Sequence, residues 1–146
     1  MAAVYIEGKI FAILMAHLTG FTSYPIVYPN TVYPIAGMPR EATFFVVSHT
    51  PNSPVGFSID PMDEYQFRGV LGISVMTPLQ NGGQDPQDVA GALARHYTAA
   101  VLRDDPVVLR VVARPHVVGG YIDGSHWRTP VVIMYETIAA PNESIG

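Results

Sequence analysis

Three segments of this chain alternate as strands do, yet both of their alternating sets are largely apolar. That double pattern limits what the chain can fold into. In residues 65–77, Phe67, Leu71, Ile73 and Val75 fall on one side, and Arg68, Val70, Ser74 and Met76 on the other. In residues 107–114, Val107, Leu109, Val111 and Ala113 oppose Val108, Arg110, Val112 and Arg114. In residues 127–138, Val131, Ile133 and Tyr135 oppose Val132, Met134 and Glu136. A small sheet needs apolar cover on only one face when a helical layer packs there. The second set must meet another layer of the same chain or another copy of it. Exposed together, those side chains would exceed the roughly few hundred Å² beyond which apolar patches mark interaction surfaces. We therefore expect Val70, Met76, Val108, Arg110, Val112, Val132, Met134 and Glu136 to contribute to a subunit interface. The competing expectation is that residues 50–64 or 24–39 fold back over this face.

Composition agrees with a surface meant for contact. Of the 146 residues, 49% are hydrophobic and only 14% are charged, well below the roughly 25% of ordinary soluble domains. The length suits one domain with its own core. The formal net charge is −4, with 8 Lys and Arg in all, so no basic face is expected for nucleic-acid phosphates. Cysteine is absent, which excludes disulfides and thiolate metal sites. The apolar run at residues 10–18 (IFAILMAHL) is too short to span a bilayer, which takes about 20 residues. Glu7 before it, His17 within it and no small-residue cleavage site after it also argue against a secretion signal. It reads as a buried helix in which Ile6, Ile10, Ile13, Leu14 and Leu18 keep helical spacing. Phe11 and Met15 widen the stripe, and Gly20 stops it.

The remaining elements follow from punctuation. Residues 24–28 make an edge strand at best because of Pro25, and a proline-rich connection follows. Residues 43–48 (TFFVVS) read as a strand, and residues 50–64 as a long loop. Asp85-Pro86 opens a second helix, whose stripe is Val89, Leu93, Tyr97, Ala100 and Val101. Arg95 and Arg103 fall in its later part, and residues 104–106 end it. Pro115 breaks the strand before it, and Val117-Val118 continues that strand after a kink. Asp123-Gly124 marks a turn. The order predicts an α+β single domain over residues 1–138, with a mixed or antiparallel sheet and two main helices packed on one face. Residues 139–146 read as a mobile polar tail.

A search for chemistry finds no convincing site. His17, His49, His96, His116 and His126 show no metal-ligand spacing, and His17 and His96 read as core-edge residues of the helices. Asp123 and His126 resemble an acid–base pair but fit a hairpin turn better. Ser125 lacks the strand-elbow-helix setting of a hydrolase nucleophile. Asp60, Asp63 and Glu64 do not match a calcium loop, and Pro61 interrupts them. Gly82-Gly83 lies between strand and helix without a phosphate-binding signature. No catalytic, cofactor or metal residue is expected. Tyr121, His126 and Arg128 form the one cluster on which a ligand-binding or enzymatic alternative could rest.

Three stretches carry a resemblance. YPIVYPNTVYP at residues 24–34 is similar to the strand and Pro-Asn segment that follows the first helix in tail terminator-like proteins of tailed phages. FRGVLGISVMTPLQNGGQDPQDVAGALARHY at residues 67–97 resembles their central element. There a strand of the type Arg-Gly-x-x-x-x-x-Val-x-x-Pro leads through a glycine turn into an amphipathic helix. ARPHVVGGYIDGSHWRTPVVIMYE at residues 113–136 resembles their closing hairpin. The family, long described only as a phage-related domain of unknown function, implies a structural virion protein with no enzymatic activity and no cofactor. By that resemblance copies of the chain form a ring, expected to be hexameric, at the head-proximal end of the tail tube. The ring ends tube polymerisation and joins tail to head. The implied partners are the chain itself, the tail tube protein and head-tail connector or neck proteins, with no membrane. DNA passes through the ring without sequence-specific contact. Assembly is expected in the bacterial host cytoplasm and residence in the virion. Pro54, Phe57, Ile59 and Met62 are the expected docking loop toward the neighbouring ring. Phage-derived gene-transfer particles would use the same subunit. The nearer alternative is a connector or tail tube subunit, and the more distant is a small oligomeric α+β enzyme or ligand-binding domain.

Overall fold

The structure is a computed structural model. It describes residues 6–21, 24–29, 43–56, 59, 64–79, 84–104, 107–124 and 126–139. The expected tail beyond residue 139, most of residues 24–39 and the Gly82-Gly83 turn lie outside the described residues.

The strands are β1 (Ile26–Val27), β2 (Phe44–Pro51), β3 (Val55–Gly56), β4 (Tyr65–Pro78), β5 (Val101–Asp104), β6 (Val107–Val111), β7 (His116–Val117), β8 (Tyr121–Asp123) and β9 (His126–Ala139). They form one mixed sheet in the order β1-β2-β4-β9-β6-β5, with β3 added along β4 and with β7 and β8 along β9. Among the described residues only the β1–β2 pair is parallel. Helices α1 (Ile6–Thr19) and α2 (Gln84–Tyr97) cover one face, which makes the expected α+β architecture.

The spine is the β4–β9 pair, in register from Tyr65↔Ala139 to Pro78↔His126. On its helix side Leu71 stands opposite Ile133, and Ile73 opposite Val131. Phe45 and Val47 of β2 and Val107, Leu109 and Val111 of β6 extend that buried layer. Ile10, Leu14 and Leu18 of α1 and Leu93 and Tyr97 of α2 close over it. Pro130 is tolerated inside a central strand because of a gap between β7 and β8. A strand residue's N and C=O point to the same side. The Pro130 carbonyl accepts from Val118 N–H at 2.8 Å at that gap, so its nitrogen also faces away from β4 and the β4–β9 ladder loses no bond.

Three expected boundaries move. The second helix does not run to residue 104. It ends at Tyr97, and Val101–Asp104 forms β5 against β6, so Ala100, Val101 and Arg103 lie outside the helix. The stop is conformational: Ala99 takes the left-handed backbone (φ 57), and Ala100 N–H bonds the Tyr97 carbonyl at 3.2 Å. Strand β2 continues past Ser48 through His49 and into Thr50 and Pro51, the start of the expected loop, because β4 is long enough to pair with all of it. Residues 107–114 form a strand only to Val111.

An exposed alanine in the left-handed region costs about 1–2 kcal/mol that glycine avoids. Ala99→Gly should therefore raise stability by about 0.5–1 kcal/mol, net of the glycine's greater unfolded-state entropy. The check is a rightward shift of the urea unfolding midpoint with unchanged slope.

Candidate assembly surface

The even-numbered residues of β4 and β9 face away from the helices. One end of this second face is closed within the chain. Met76 is 1% exposed and clusters with Val27, Phe44 and half-buried Val46. Met76 is thus a core residue of the subunit and is unavailable to a partner, contrary to its assignment from the sequence. The alternation placed it on the correct face but could not reveal that β1 brings Val27 against it.

The other end is open. Val112, Met134 and Ile138 are 48%, 48% and 52% exposed. Val112 N–H bonds the Met134 carbonyl at 3.0 Å, which sets the two side chains beside one another. Val70 pairs with Met134 across the ladder, and Val70, Val108 and Val132 are half-buried around them. Glu136 stands between Arg68 and Arg110 in register. Its carboxylate accepts from Arg110 Nη2 at 3.1 Å and from Gln66 Nε2 at 2.9 Å. Arg110 is largely solvated, so this pair contributes little to monomer stability. Its weight lies in placing fixed charges at the rim of an apolar patch. A shallow open depression of about 310 Å³ lies beside it, lined in part by Val101, Arg110, Val112 and Glu136.

In the docking loop, Pro54 and Ile59 are exposed, while Phe57 and Met62 lie outside the described residues. The alternative cluster is not brought together around a pocket. Arg128 Nε donates to Ser74 Oγ at 3.0 Å, which ties β9 to β4, and its Nη1 donates to Asp123 Oδ2 at 3.0 Å within the β8–β9 hairpin. His126 is buried edge-on against Phe44, and Tyr121 is exposed. Gly124 (φ 62) makes the turn that the Asp-Gly pair signals. Among the described residues no group of three His, Asp or Glu is placed to hold a metal, and no helix is long and apolar enough to cross a membrane.

Two polar pairs had no sequence signal beyond the residues themselves, because each joins positions far apart in the chain. His49 Nε2 and the Tyr135 hydroxyl share a hydrogen bond at 2.5 Å beneath Phe11. Burial lowers the His49 pKa and pushes Tyr135 up to about 12, so both are neutral near pH 7. Gly69 lies under this ring: a Cβ there would strike the Tyr135 hydroxyl and come within 2.9 Å of Pro51 Cα. The second pair is His17 with His96, whose rings stack between the helix ends.

The architecture is an α+β domain with a half-open sheet face. Comparison with known proteins adds the family. A family model described as phage tail terminator protein matches residues 9–135. The chain belongs to that family, one of structural proteins, and is thereby a component of a phage-type virion tail. Comparison with curated proteins returns no match. One solved protein structure aligns over 90% of this chain and 95% of its own at TM-score 0.72 and 18% identity, a likeness of fold. The Gly69 of the Arg-Gly motif has a physical reason here, since no larger residue fits between Tyr135 and Pro51. Gly69→Ala should cost about 1–3 kcal/mol through overpacking, read as a lower thermal midpoint. The Tyr135→Phe background should recover part of that loss, because it removes the nearest clashing atom.

Proposed function

We propose that this protein is the tail terminator subunit of a phage or phage-derived gene-transfer particle. Copies of it close into a ring, six being the expected number, on the head-proximal end of the tail tube. The ring ends tube polymerisation and presents the surface that connector or neck proteins join. The observation that supports this most is the half-open sheet face of a chain in the tail terminator family: Val112, Met134 and Ile138 around the Arg110–Glu136 pair.

A ring requires a heterologous contact, in which one patch meets a different patch on the next copy and the rotation closes. The open face supplies one such patch. Its apolar centre gains by leaving water at roughly 25 cal/mol per Å². Its charged rim directs how a neighbour approaches. The exposed stretch at Pro54 and Ile59 reaches toward the adjoining tube. Recognition and closure require surfaces, and no group on the chain has to transfer atoms.

The test is Val112→Glu with Met134→Glu. Both side chains are about half exposed, so the folded monomer should keep its stability to within about 1 kcal/mol. Light scattering across a concentration series should show a closed species of about six subunits for the unaltered protein and monomer for the variant. Added to growing tail tubes, the unaltered protein should stop elongation and the variant should not. Open-ended growth of the unaltered protein alone would favour a tube subunit. Tubes stopped equally well by both proteins would remove this face from the ring contact.

A further inference from the structure

The two histidines near the carboxyl-terminal ends of the helices form one unit. The His17 and His96 rings stack with centroids 3.9 Å apart and planes 13° from parallel. His17 Nε2 donates to the His96 carbonyl at 2.9 Å, and His96 Nε2 donates to the His17 carbonyl at 2.8 Å. A carbonyl only accepts, so each Nε2 carries its hydrogen while the pair is closed. Protonation therefore occurs at Nδ1 and leaves both bonds in place. What it changes is charge.

The surroundings bear on that charge. Tyr97 packs edge-on against both rings, at 4.7 Å and 5.6 Å, and Phe21 lies 5.1 Å from His96. The Tyr97 hydroxyl donates to the Leu14 carbonyl at 2.9 Å, and burial raises its pKa, so it stays neutral. Arg95 is an exposed cation one residue from His96. Glu7 and Asp88 belong to the first turns of the helices, away from the rings, and Lys9 is held by Asp104 of β5 at 2.9 Å. Among the described residues no carboxylate forms an ion pair with either ring. Two helix carboxyl termini converge here, and their partial negative charge favours a single cation. A second cation stacked on the first, partly shielded from water, meets repulsion with nothing to offset it.

We propose that the His17–His96 stack is an acid-sensitive clasp between the ends of α1 and α2, closed while the pair holds at most one proton and opened by the second. The shift at His17 runs the same way. Burial lowers its pKa most, the bond to the His96 backbone raises it, and the His96 charge lowers it. A basic group with a lowered folded-state pKa is protonated first in the unfolded chain. Stability is then full above the ordinary value of 6.5 and declines as pH falls below it. His49, also lowered by burial, contributes in the same direction and must be separated out.

The experiment is thermal melting at about pH 7.5 and about pH 5.5 for the unaltered protein, His17→Gln, His96→Gln and the double variant. Glutamine keeps an N–H donor for the partner carbonyl and cannot become charged. All four proteins retain His49, so its share is common to them. The unaltered protein should lose several degrees more on acidification than any variant. Each single substitution should remove most of that excess, because a lone imidazole meets no like charge. An equal loss in all four would overturn the proposal. So would single variants that each remove about half, the mark of two independent groups. Should the variants fail to fold, ring resonances of the unaltered protein decide. The His17 ring is expected to titrate below the ordinary value, and a step at that value would overturn the clasp.

Discussion

Everything else in this structure hangs on the antiparallel pairing of β4 with β9. It joins residues 65–78 to residues 126–139, and every other strand adds to one of the two, directly or through a neighbour. In a strand apolar on one face only, a slip of one residue turns the core set into water and is strongly opposed. Here both sets are largely apolar, so hydrophobicity alone specifies the register weakly. Particular contacts take over that task. Gly69 opposite Tyr135 leaves room for one ring and no other side chain. Glu136 falls between Arg68 and Arg110. The Thr137 hydroxyl reaches the Val108 carbonyl at 2.6 Å, and Pro130 meets the gap between β7 and β8. These features are dispersed along the ladder, so no single slip satisfies them together.

What could be read from the sequence divides along the same line. The faces of β4, β6 and β9, the stripe of α1 and the start of α2 follow from local periodicity and from Asp-Pro and Gly signals, and they stand where expected. The end of α2 is not legible in the sequence, because Ala100 and Val101 continue the helical spacing while the left-handed turn at Ala99 carries no residue-type signal. Strand β2 was cut short because Pro51 and Asn52 read as loop residues. Its continuation depends on the length of its partner, which is a tertiary fact. Of the assembly surface, alternation located the face but not its extent. The burial of Met76 needs Val27, which lies about fifty residues away in the chain. The His49–Tyr135 and His17–His96 pairs span 86 and 79 residues and were invisible for the same reason.

The helix layer is tied down by its ends. At one end Lys9, itself buried, reaches Asp104 and holds α1 to the edge strand β5. At the other, the Tyr97 hydroxyl and the two histidines connect α1 to α2 through backbone carbonyls. The His17 and His96 carbonyls lie in the last turns of their helices and lack intrahelical donors, so the two histidine donors stabilise those ends without displacing a helical bond. The sheet face beneath the helices is thereby committed, and only the opposite face is free to vary its contacts.

That opposite face is graded rather than uniform. It is dry where Val27, Phe44 and Met76 meet, half-covered at Val70 and Val132, and open from Met134 to Ile138. The gradient reconciles two requirements that a wholly apolar face would set against each other. Solubility limits the size of an exposed apolar patch, and a small open patch can still gain from contact. Closing one end within the chain shortens the patch, while Arg68, Arg110 and Glu136 at the open end keep it hydrated. Those same charges carry directional information, since a partner that leaves Glu136 facing another carboxylate is penalised. The double apolar pattern in the sequence therefore meets two environments on one face. The end nearest β1 completes the chain's own core, and the remote end stays open to water.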